Sequence, residues 1–199
     1  IGAGCDGDGD RLVCVDEDGV LLTPEDLAAI ILMQYRPKRV VINSQCNRAW
    51  IKLAKKYAGE VIEGPVGERF IVPYLDQPDI FGFEPSGHFI FSNHQPLCSD
   101  AMYTLSIILD VMKQTGLPLS ILRKVYTPFP STTINVTVSK KVSQEELLSY
   151  VQLEPIQNGY VSVRYSGTEP VCRIYVESRH SKLCTEYATR IKECIPYQI

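Results

Sequence analysis

The sequence predicts an α/β domain with a mixed, mostly parallel sheet, followed by a smaller α+β domain. Up to residue 126, short apolar strand-like segments alternate with helical ones, which is the order typical of a parallel sheet covered by helices. Two prolines in segment 127–131, Thr-Pro-Phe-Pro-Ser, then interrupt this alternation and indicate a linker. The 199 residues are enough for two domains with cores of their own.

The first elements lead from an acidic loop into a helix. Residues 12–15 are apolar and favour a strand, the acidic segment 16–19 predicts a turn, and residues 20–22 resume a short strand. A helix begins after Thr23, because a threonine N-cap is followed by a proline and two acids, and it ends near Pro37.

The next elements alternate in type. Residues 39–43 are apolar enough for a strand buried on both faces, and residues 47–58 predict a helix that ends at Gly59 as a C′ cap. A short strand follows at 60–63, and Gly-Pro-Val-Gly at 64–67 leads into another short helix.

Two aromatic-rich strands and a long helix complete the α/β pattern. The strands cover residues 80–83 and 89–91, and residues 100–114 predict an amphipathic helix. Beyond the linker the order becomes that of an α+β domain. Its elements are a strand at 133–138, a helix opened by a capping box at 143–146, strands at 160–166 and 171–177, and a helix at 181–194.

Composition and charge restrict the classes of function. A formal net charge of −3 with no basic block argues against a nucleic-acid binder. The longest apolar stretch, residues 27–33, is far too short to cross a membrane, and we see no signal peptide. The seven cysteines are odd in number and contain no Cys-x-x-Cys pair. We therefore expect reduced thiols in a cytoplasmic protein, with neither a disulfide framework nor a zinc site.

The most informative motif is Asp-Gly-Asp-Gly-Asp-Arg at residues 6–11, named the Asp-rich loop below. Three carboxylates on alternate positions repel one another, and a hard cation such as Mg²⁺ or Ca²⁺ relieves that repulsion. The two glycines allow a tight turn in which the side chains converge. The pattern predicts Asp6, Asp8 and Asp10 as metal ligands. Arg11, directly behind them, is placed to meet an anion beside the metal.

Three other interpretations of the Asp-rich loop stay open. It is compatible with a plain acidic surface turn. A calcium loop has acids at positions 1, 3, 5 and 12, and Asp6, Asp8, Asp10 and Glu17 have that spacing. Its sixth position is normally glycine, however, and is Arg11 here. An aspartate-nucleophile phosphatase would use Asp6 to attack and Asp8 as acid, but wants Thr or Val at Asp10 and an acidic pair downstream.

A second polar cluster, Glu84-Pro85-Ser86-Gly87-His88, lies in the turn between the aromatic-rich strands and is named the Glu-Ser-His loop. Glu84, Ser86 and His88 offer a carboxylate, a hydroxyl and an imidazole within five residues. Such a group suits neighbouring hydroxyls of a sugar, because the two oxygens of a carboxylate can accept from two neighbours. An ordinary hairpin whose polar residues face water is the alternative.

The third cluster is Arg-Tyr-Ser-Gly-Thr-Glu-Pro at residues 164–170, named the Arg-Ser loop. Arg164 and Ser166 point the same way, because side chains alternate along a strand. Together with Thr168 and the free backbone N–H groups of the turn, they predict a phosphate nest, to which Arg173 adds a second cation. A turn with a solvated arginine is the alternative.

The three loops and their order resemble the α-D-phosphohexomutase family, which comprises phosphoglucomutases, phosphomannomutases and phosphoglucosamine mutases. In that family a D-G-D-G-D-R loop holds Mg²⁺, a G-E-x-S-G-H loop selects the sugar, and an R-x-S-G-T-E-P loop grips the substrate phosphate. All three loops of this chain match. One departure is Phe83, where the family usually has a second glycine.

The resemblance implies a domain organisation. The family has four domains, and this chain is similar to their C-terminal portion. Residues 1–20 would end the second domain, residues 21–126 would form the third, and residues 127–199 would form the fourth. The first domain, which carries the phosphorylated serine, has no counterpart here. We therefore expect a piece of a longer protein that is inactive alone and completed by the missing N-terminal domains.

The resemblance also implies the activity. A phosphoserine would exchange phosphate with a hexose phosphate through a hexose 1,6-bisphosphate, with Mg²⁺ as cofactor. Segments 126–138 and 164–177 look more like phosphoglucosamine mutases, so glucosamine 6-phosphate is the expected substrate. Phosphomannomutase or phosphoglucomutase activity and a non-catalytic phosphosugar-binding module are the alternatives. The implied roles are catalysis for Arg11 and His88, and substrate binding for Glu84, Ser86, His88, Arg164, Ser166, Gly167, Thr168 and Arg173.

Overall fold

The computed structural model describes residues 1–151, 156, 159–167 and 169–199. The chain separates into two compact units, Ile1–Thr127 and Pro128–Ile199. The break falls inside the proline-containing segment 127–131, and each unit has a hydrophobic core of its own.

The first unit begins with a small antiparallel sheet that carries the Asp-rich loop. Its strands are β1 (Gly2–Cys5), β2 (Leu12–Val15) and β3 (Leu21–Leu22), in the spatial order β1-β2-β3. β1 pairs with β2 along its whole length, so the Asp-rich loop is the connection of a β-hairpin. The sequence analysis missed β1, because Gly-Ala-Gly-Cys has little strand preference of its own. Its conformation depends on pairing with β2.

The second sheet of the first unit is mixed and mostly parallel, which confirms the predicted fold class. It contains β4 (Arg39–Asn43), β5 (Glu60–Gly64), β6 (Ile80–Phe83) and β7 (Phe89–Phe91). The spatial order is β5-β4-β6-β7, with β4 parallel to both β5 and β6 and with β7 antiparallel to β6. The carboxyl ends of β4 and β6 therefore meet at one edge of the sheet, where ligands of such sheets usually bind.

The helices of this unit differ in their capping. They are α1 (Pro24–Tyr35), α2 (Arg48–Tyr57), α3 (Glu68–Ile71), α4 (Ala101–Thr115) and α5 (Leu119–Leu122), with 3₁₀ turns at Val72–Tyr74 and Arg123–Val125. Of these, α1, α2 and α4 begin at a side-chain cap. At the start of α1, Thr23 and Asp26 form a reciprocal capping box. α4 begins at the N-cap Asp100 and ends at Gly116 in the left-handed conformation. The predicted helix starts are confirmed at both places.

The end of α2 differs from the prediction in its mechanism. The helix stops at Ala58, whose backbone is extended (φ −95°, ψ 154°), and Gly59 is not left-handed. A Cβ atom on Gly59 would lie 2.7 Å from the carbonyl oxygen of Lys38. Glycine is required there by close backbone approach rather than by a left-handed cap, and the cap prediction is wrong in that respect.

Asp16 joins the turn between β2 and β3 to the 3₁₀ turn that starts at Arg123. Its Oδ1 accepts hydrogen bonds from the backbone N–H groups of Asp18 (3.0 Å) and Val20 (2.8 Å). Its Oδ2 accepts one from Arg123 Nε at 2.8 Å. Burial raises the pKa of the Asp16 carboxyl, but the hydrogen bonds from Val20 and Arg123 outweigh it, and the net pKa is lowered.

We expect Asp16→Asn to lower the melting temperature by several degrees near neutral pH, because Arg123 loses its ionic partner. The folded-state pKa lies below the unfolded value, so the carboxylate stabilises the fold above roughly pH 4 and loses this effect as the pH falls through the folded-state pKa. Melting curves of parent and variant should therefore converge in acid. Asp18→Asn, in the same turn, is the control. A difference in melting temperature between parent and Asp16→Asn that does not change with pH would contradict the ionic role of Asp16.

In the described part of the second unit, a three-stranded antiparallel sheet is accompanied by two helices, which agrees with the predicted α+β class. Its elements are β8 (Ser131–Thr137), α6 (Gln144–Tyr150), β9 (Tyr160–Tyr165), β10 (Val171–Glu177) and α7 (Ser181–Cys194). β10 lies in the centre, antiparallel to both neighbours. α7 packs on β8 and β10.

No single helix within the described ranges is long and apolar enough to cross a bilayer. Ala101–Thr115 and Leu119–Val125 pass such a test together by length and composition, but they are bent by 91° relative to each other.

Candidate functional site

The hairpin between β1 and β2 brings the three predicted metal ligands together. One carboxylate oxygen from each of Asp6, Asp8 and Asp10 lies within 4.8 Å of the others. Gly9 makes the turn possible because its φ is +77°. The carbonyl of Gly9 also accepts a hydrogen bond from Ala101 N, 3.1 Å away, which fixes the loop on the start of α4.

The carboxylates of the Asp-rich loop fit a divalent cation. Asp10 Oδ1 is buried and has no hydrogen-bond partner among the described residues, although Arg11 Nε lies 3.6 Å away. A buried carboxylate oxygen without a donor is costly unless a cation compensates it. Asp8 is exposed and offers its oxygens to the same place. Three such oxygens are the hard ligands that Mg²⁺ prefers.

Arg11 is held against the Asp-rich loop by Asp6. Its Nε donates to Asp6 Oδ2, and its backbone N–H donates to Asp6 Oδ1 at 3.2 Å. Burial raises the pKa of the Asp6 carboxyl, but these two hydrogen bonds outweigh it and lower that pKa. Asp6 in turn raises the pKa of Arg11. Both groups therefore stay charged, and about half of the Arg11 side chain remains exposed (49%).

The Glu-Ser-His loop is the tight turn of the β6–β7 hairpin. Its backbone is closed by Glu84 N donating to His88 O (3.0 Å) and Gly87 N donating to Glu84 O (2.9 Å). Gly87 has φ +104°, and a Cβ atom there would lie 3.4 Å from Arg11 Cβ. The positive φ of the turn thus favours glycine at this position, and the Asp-rich loop lies close by.

Glu84 is buried and fixed on one side by two donors. Its Oε1 accepts a hydrogen bond from Asn43 Nδ2 (2.7 Å) and one from Gly67 N (2.8 Å). Each carboxylate oxygen has two lone pairs, so Oε1 is fully used. Oε2 lies 3.6 Å from His88 Nδ1 and keeps acceptor capacity. The Glu84 carboxylate therefore presents mainly one oxygen to a ligand, rather than the two that its sequence context suggested.

His88 joins the Glu-Ser-His loop to the Asp-rich loop. Its backbone forms an antiparallel bridge with Arg11. Its Nε2 lies 3.4 Å from Asp10 Oδ2, and its Nδ1 lies 2.8 Å from Ser86 Oγ. The two loops therefore form one continuous polar surface, with the clustered carboxylates at one end and the side chains of Glu84 and Ser86 at the other.

The sequence analysis missed Asn43, which holds Glu84 in place. The available signal was its position as the last residue of β4, because β4 and β6 are parallel neighbours whose carboxyl ends meet at one edge. Asn43 is buried and also accepts from Gln45 N through its side-chain oxygen (2.9 Å).

The Arg-Ser loop lies in the second unit, and its first residue, Arg164, faces a second cation on the neighbouring strand. Arg164 on β9 is directly opposite Arg173 on β10, and Arg173 is opposite Asn135 on β8. Like charges opposite each other on antiparallel strands destabilise a sheet. Arg173 is compensated in part by Glu169, 3.6 Å away, and Arg173 Nε donates to Asn135 Oδ1 at 3.3 Å. This pair of cations favours an anion as third partner.

The turn of the Arg-Ser loop carries further polar groups. Ser166 Oγ accepts a hydrogen bond from Glu169 N (3.2 Å), and Gly167 is exposed. Thr168, a predicted phosphate ligand, lies outside the described residues. Lys141 Nζ donates to the carbonyl of Ser166 at 2.6 Å. The sequence analysis missed this lysine, since no local motif connects it with a loop about 25 residues away.

Comparison with known proteins identifies the family. Residues 23–129 match the family description "Phosphoglucomutase/phosphomannomutase, alpha/beta/alpha domain III", and residues 134–193 match "Phosphoglucomutase/phosphomannomutase, C-terminal domain". The phosphoglucosamine mutase of Bacillus subtilis is 31% identical over 208 residues, which cover 98% of this chain and 46% of that protein. That of Thioalkalivibrio sulfidiphilus is 34% identical over 209 residues, again 98% of this chain and 46% of the relative.

Solved structures show the same fold. N-acetylphosphoglucosamine mutase of Aspergillus fumigatus, in complex with GlcNAc-6P and magnesium, superposes with a TM-score of 0.77 at 19% identity over 96% of this chain and 51% of that one. A family protein from Burkholderia thailandensis gives a TM-score of 0.74 at 19% identity over 96% and 45%. The chain thus spans about half the length of the curated relatives it matches. It belongs to the phosphoglucomutase/phosphomannomutase family, the α-D-phosphohexomutases.

Proposed function

We propose that this chain is the metal- and sugar-binding part of a phosphohexomutase, which interconverts hexose 6-phosphate and hexose 1-phosphate. The observation that carries the proposal is the contact between the Asp-rich loop and the Glu-Ser-His loop. Arg11 pairs with His88, and His88 Nε2 lies 3.4 Å from Asp10 Oδ2. A cation site and a hydroxyl-binding group this close suit a sugar phosphate. Its phosphate binds a cation, its ring carries hydroxyl groups, and one ester oxygen joins the two parts.

We assign the domains by position within the family. Residues 1–20 end the second domain, residues 21–126 form the third, and residues 127–199 form the fourth. The curated relatives are about twice as long as this chain, since it covers 46% of them. We infer that the phosphoserine nucleophile belongs to a segment of the same protein outside this chain, and that catalysis requires that segment.

In this mechanism the Asp-rich loop stabilises charge. Asp6, Asp8 and Asp10 would hold Mg²⁺, which when bound neutralises negative charge on the transferring phosphoryl group. Arg11 adds a fixed positive charge at the same place. Asp6 holds its Nε, and the exposed part of the guanidinium is available to the phosphate.

The Glu-Ser-His loop orients the sugar ring. Glu84 accepts from a hydroxyl through Oε2, because its Oε1 is occupied by Asn43 and Gly67. A hydrogen bond of 2.8 Å joins Ser86 Oγ and His88 Nδ1. His88 Nε2 then faces Asp10 and is the nitrogen that would hold a proton between Asp10 and the substrate.

The Arg-Ser loop anchors the phosphate that is not reacting. Arg164 and Arg173 supply two charges, and Ser166, Gly167 and Thr168 supply hydroxyl and backbone donors. Holding this phosphate keeps the other end of the sugar in position for transfer and allows the hexose 1,6-bisphosphate to be bound in two orientations.

Glucosamine 6-phosphate is the substrate that we propose, because the relatives cited above carry the name phosphoglucosamine mutase. We expect the full-length protein with Mg²⁺ to convert glucosamine 6-phosphate faster than the 6-phosphates of glucose, mannose and N-acetylglucosamine. Product formation is followed for each sugar under identical conditions. The chain of residues 1–199, measured in parallel, should show no turnover.

Three outcomes separate the alternatives. Equal or faster conversion of glucose or mannose phosphate would replace the amino-sugar assignment by phosphoglucomutase or phosphomannomutase activity. No conversion of any hexose phosphate by the full-length protein would leave a binding module. Robust turnover by residues 1–199 alone would contradict the requirement for a phosphoserine outside this chain.

A further inference from the structure

Ser99 is a buried serine that contacts the Asp-rich loop and the β6–β7 hairpin at once. It lies just before the N-cap of α4 and is 6% exposed. Its Oγ donates to the carbonyl of Asp10 at 2.6 Å and accepts from Phe89 N at 2.8 Å. Its own N–H donates to Glu68 Oε1 at 2.9 Å. The hydroxyl is thus used both as donor and as acceptor.

These bonds close a ring around the candidate site. Phe89 directly follows His88, whose Nε2 lies 3.4 Å from Asp10 Oδ2. Glu68 directly follows Gly67, whose N–H holds Glu84 Oε1 at 2.8 Å. Ser99 therefore connects the backbone of one candidate metal ligand, Asp10, to the residue after His88 and to the residue after Gly67, the donor that holds Glu84. A shift of Asp10 on metal binding would move the Ser99 hydroxyl, which bonds Phe89 N, and through the Ser99 backbone it would move the N–H that bonds Glu68.

We propose that Ser99 is a positioning residue that couples the Asp-rich loop to the Glu-Ser-His loop, so that Mg²⁺ and the hexose phosphate bind cooperatively. The identity of the sugar ligand rests on the proposed function, whereas the effect on metal binding does not. Such coupling is reciprocal, so Mg²⁺ tightens sugar binding by the same factor by which the sugar tightens Mg²⁺ binding.

The test measures Mg²⁺ affinity of the full-length protein by calorimetry, with and without glucosamine 6-phosphate. In the parent, the sugar phosphate should tighten Mg²⁺ binding by about 10-fold. In Ser99→Ala, Mg²⁺ alone should bind about 10-fold more weakly, because a residue that supports a metal ligand is lost. The sugar phosphate should then no longer tighten Mg²⁺ binding. Glu68→Ala removes one bond of Ser99 and keeps the hydroxyl, so it should reduce the tightening in part.

Ser106→Ala is the matched control, because Ser106 is an exposed serine on α4 whose hydroxyl donates to Tyr103 O within the helix. It should behave as the parent. Thermal melts verify that each variant is folded. If Ser99→Ala does not fold, the Mg²⁺ affinities of Glu68→Ala test the proposal instead. If Ser99→Ala and Glu68→Ala bind Mg²⁺ as tightly as the parent, with and without the sugar phosphate, the inference is overturned. This holds even if the full-length protein is an active mutase. A parent without mutase turnover would contradict the proposed function, while the Mg²⁺ affinities without sugar still decide the role of Ser99.

Discussion

Asp8→Asn in the full-length protein is expected to reduce mutase turnover by about 10²–10³-fold, the effect of removing one charge-stabilising group from a transition state. Asp8 is exposed, and it offers one of the three clustered carboxylate oxygens. Its loss should therefore weaken Mg²⁺ binding without unfolding the β1–β2 hairpin. Initial rates over a range of Mg²⁺ concentrations measure both effects.

Asp18→Asn is the matched control for this variant. Like Asp8, Asp18 is an exposed aspartate in a hairpin turn and precedes a glycine with positive φ, +78° at Gly19 and +77° at Gly9. It should leave the rates and the Mg²⁺ dependence unchanged. Full turnover by Asp8→Asn at low Mg²⁺ would remove the Asp-rich loop from the mechanism.

Arg164→Ala is expected to raise the KM for the hexose phosphate by about 10- to 100-fold, as for loss of a charged hydrogen-bonding partner. The fold of the second unit should not suffer, because Arg164 faces Arg173 across the strand pair and its removal relieves repulsion. The melting temperature without ligand should be equal to that of the parent or higher. Steady-state kinetics and thermal melts together test the two statements.

Arg190→Ala provides the control in the same unit, since Arg190 is an exposed cation on α7 that lies over the ring of Tyr187. Its KM should match that of the parent. A variant at Arg164 with parent-like KM but a lower melting temperature would assign Arg164 to folding instead of phosphate binding.

Local chemistry made most of the fold predictable. α7 was predicted with its observed bounds, and α1 with its N-cap, because capping residues and proline act within a few residues of the helix start. α4 was predicted to within one residue at each end from its amphipathic pattern. β1 could not be predicted, because its four residues favour no strand and gain one only by pairing. The role of Gly59 was likewise set by Lys38, a distant neighbour in sequence.

The candidate site shows the same division. The residues of the Asp-rich loop and of the Glu-Ser-His loop are adjacent in sequence, so their motifs were readable. Asn43 and Ser99, which hold these two loops, come from other elements and reach them only through tertiary contacts, and the same is true of Lys141 at the Arg-Ser loop. No local sequence motif marks supporting residues of this kind, because their distance along the chain from the loop they hold follows no fixed spacing.

The antiparallel sheet β1-β2-β3 has a consequence for dissecting the protein into pieces. The family match begins at residue 23, yet Leu12, Cys14 and Leu22 belong to the same buried cluster as the helices of the first unit. A piece cut at the family boundary would lose all three of these side chains and expose the apolar surface beneath them. The boundary of the family match and the boundary of the buried cluster thus differ here, and a piece that keeps this cluster intact has to include the β1–β2 hairpin.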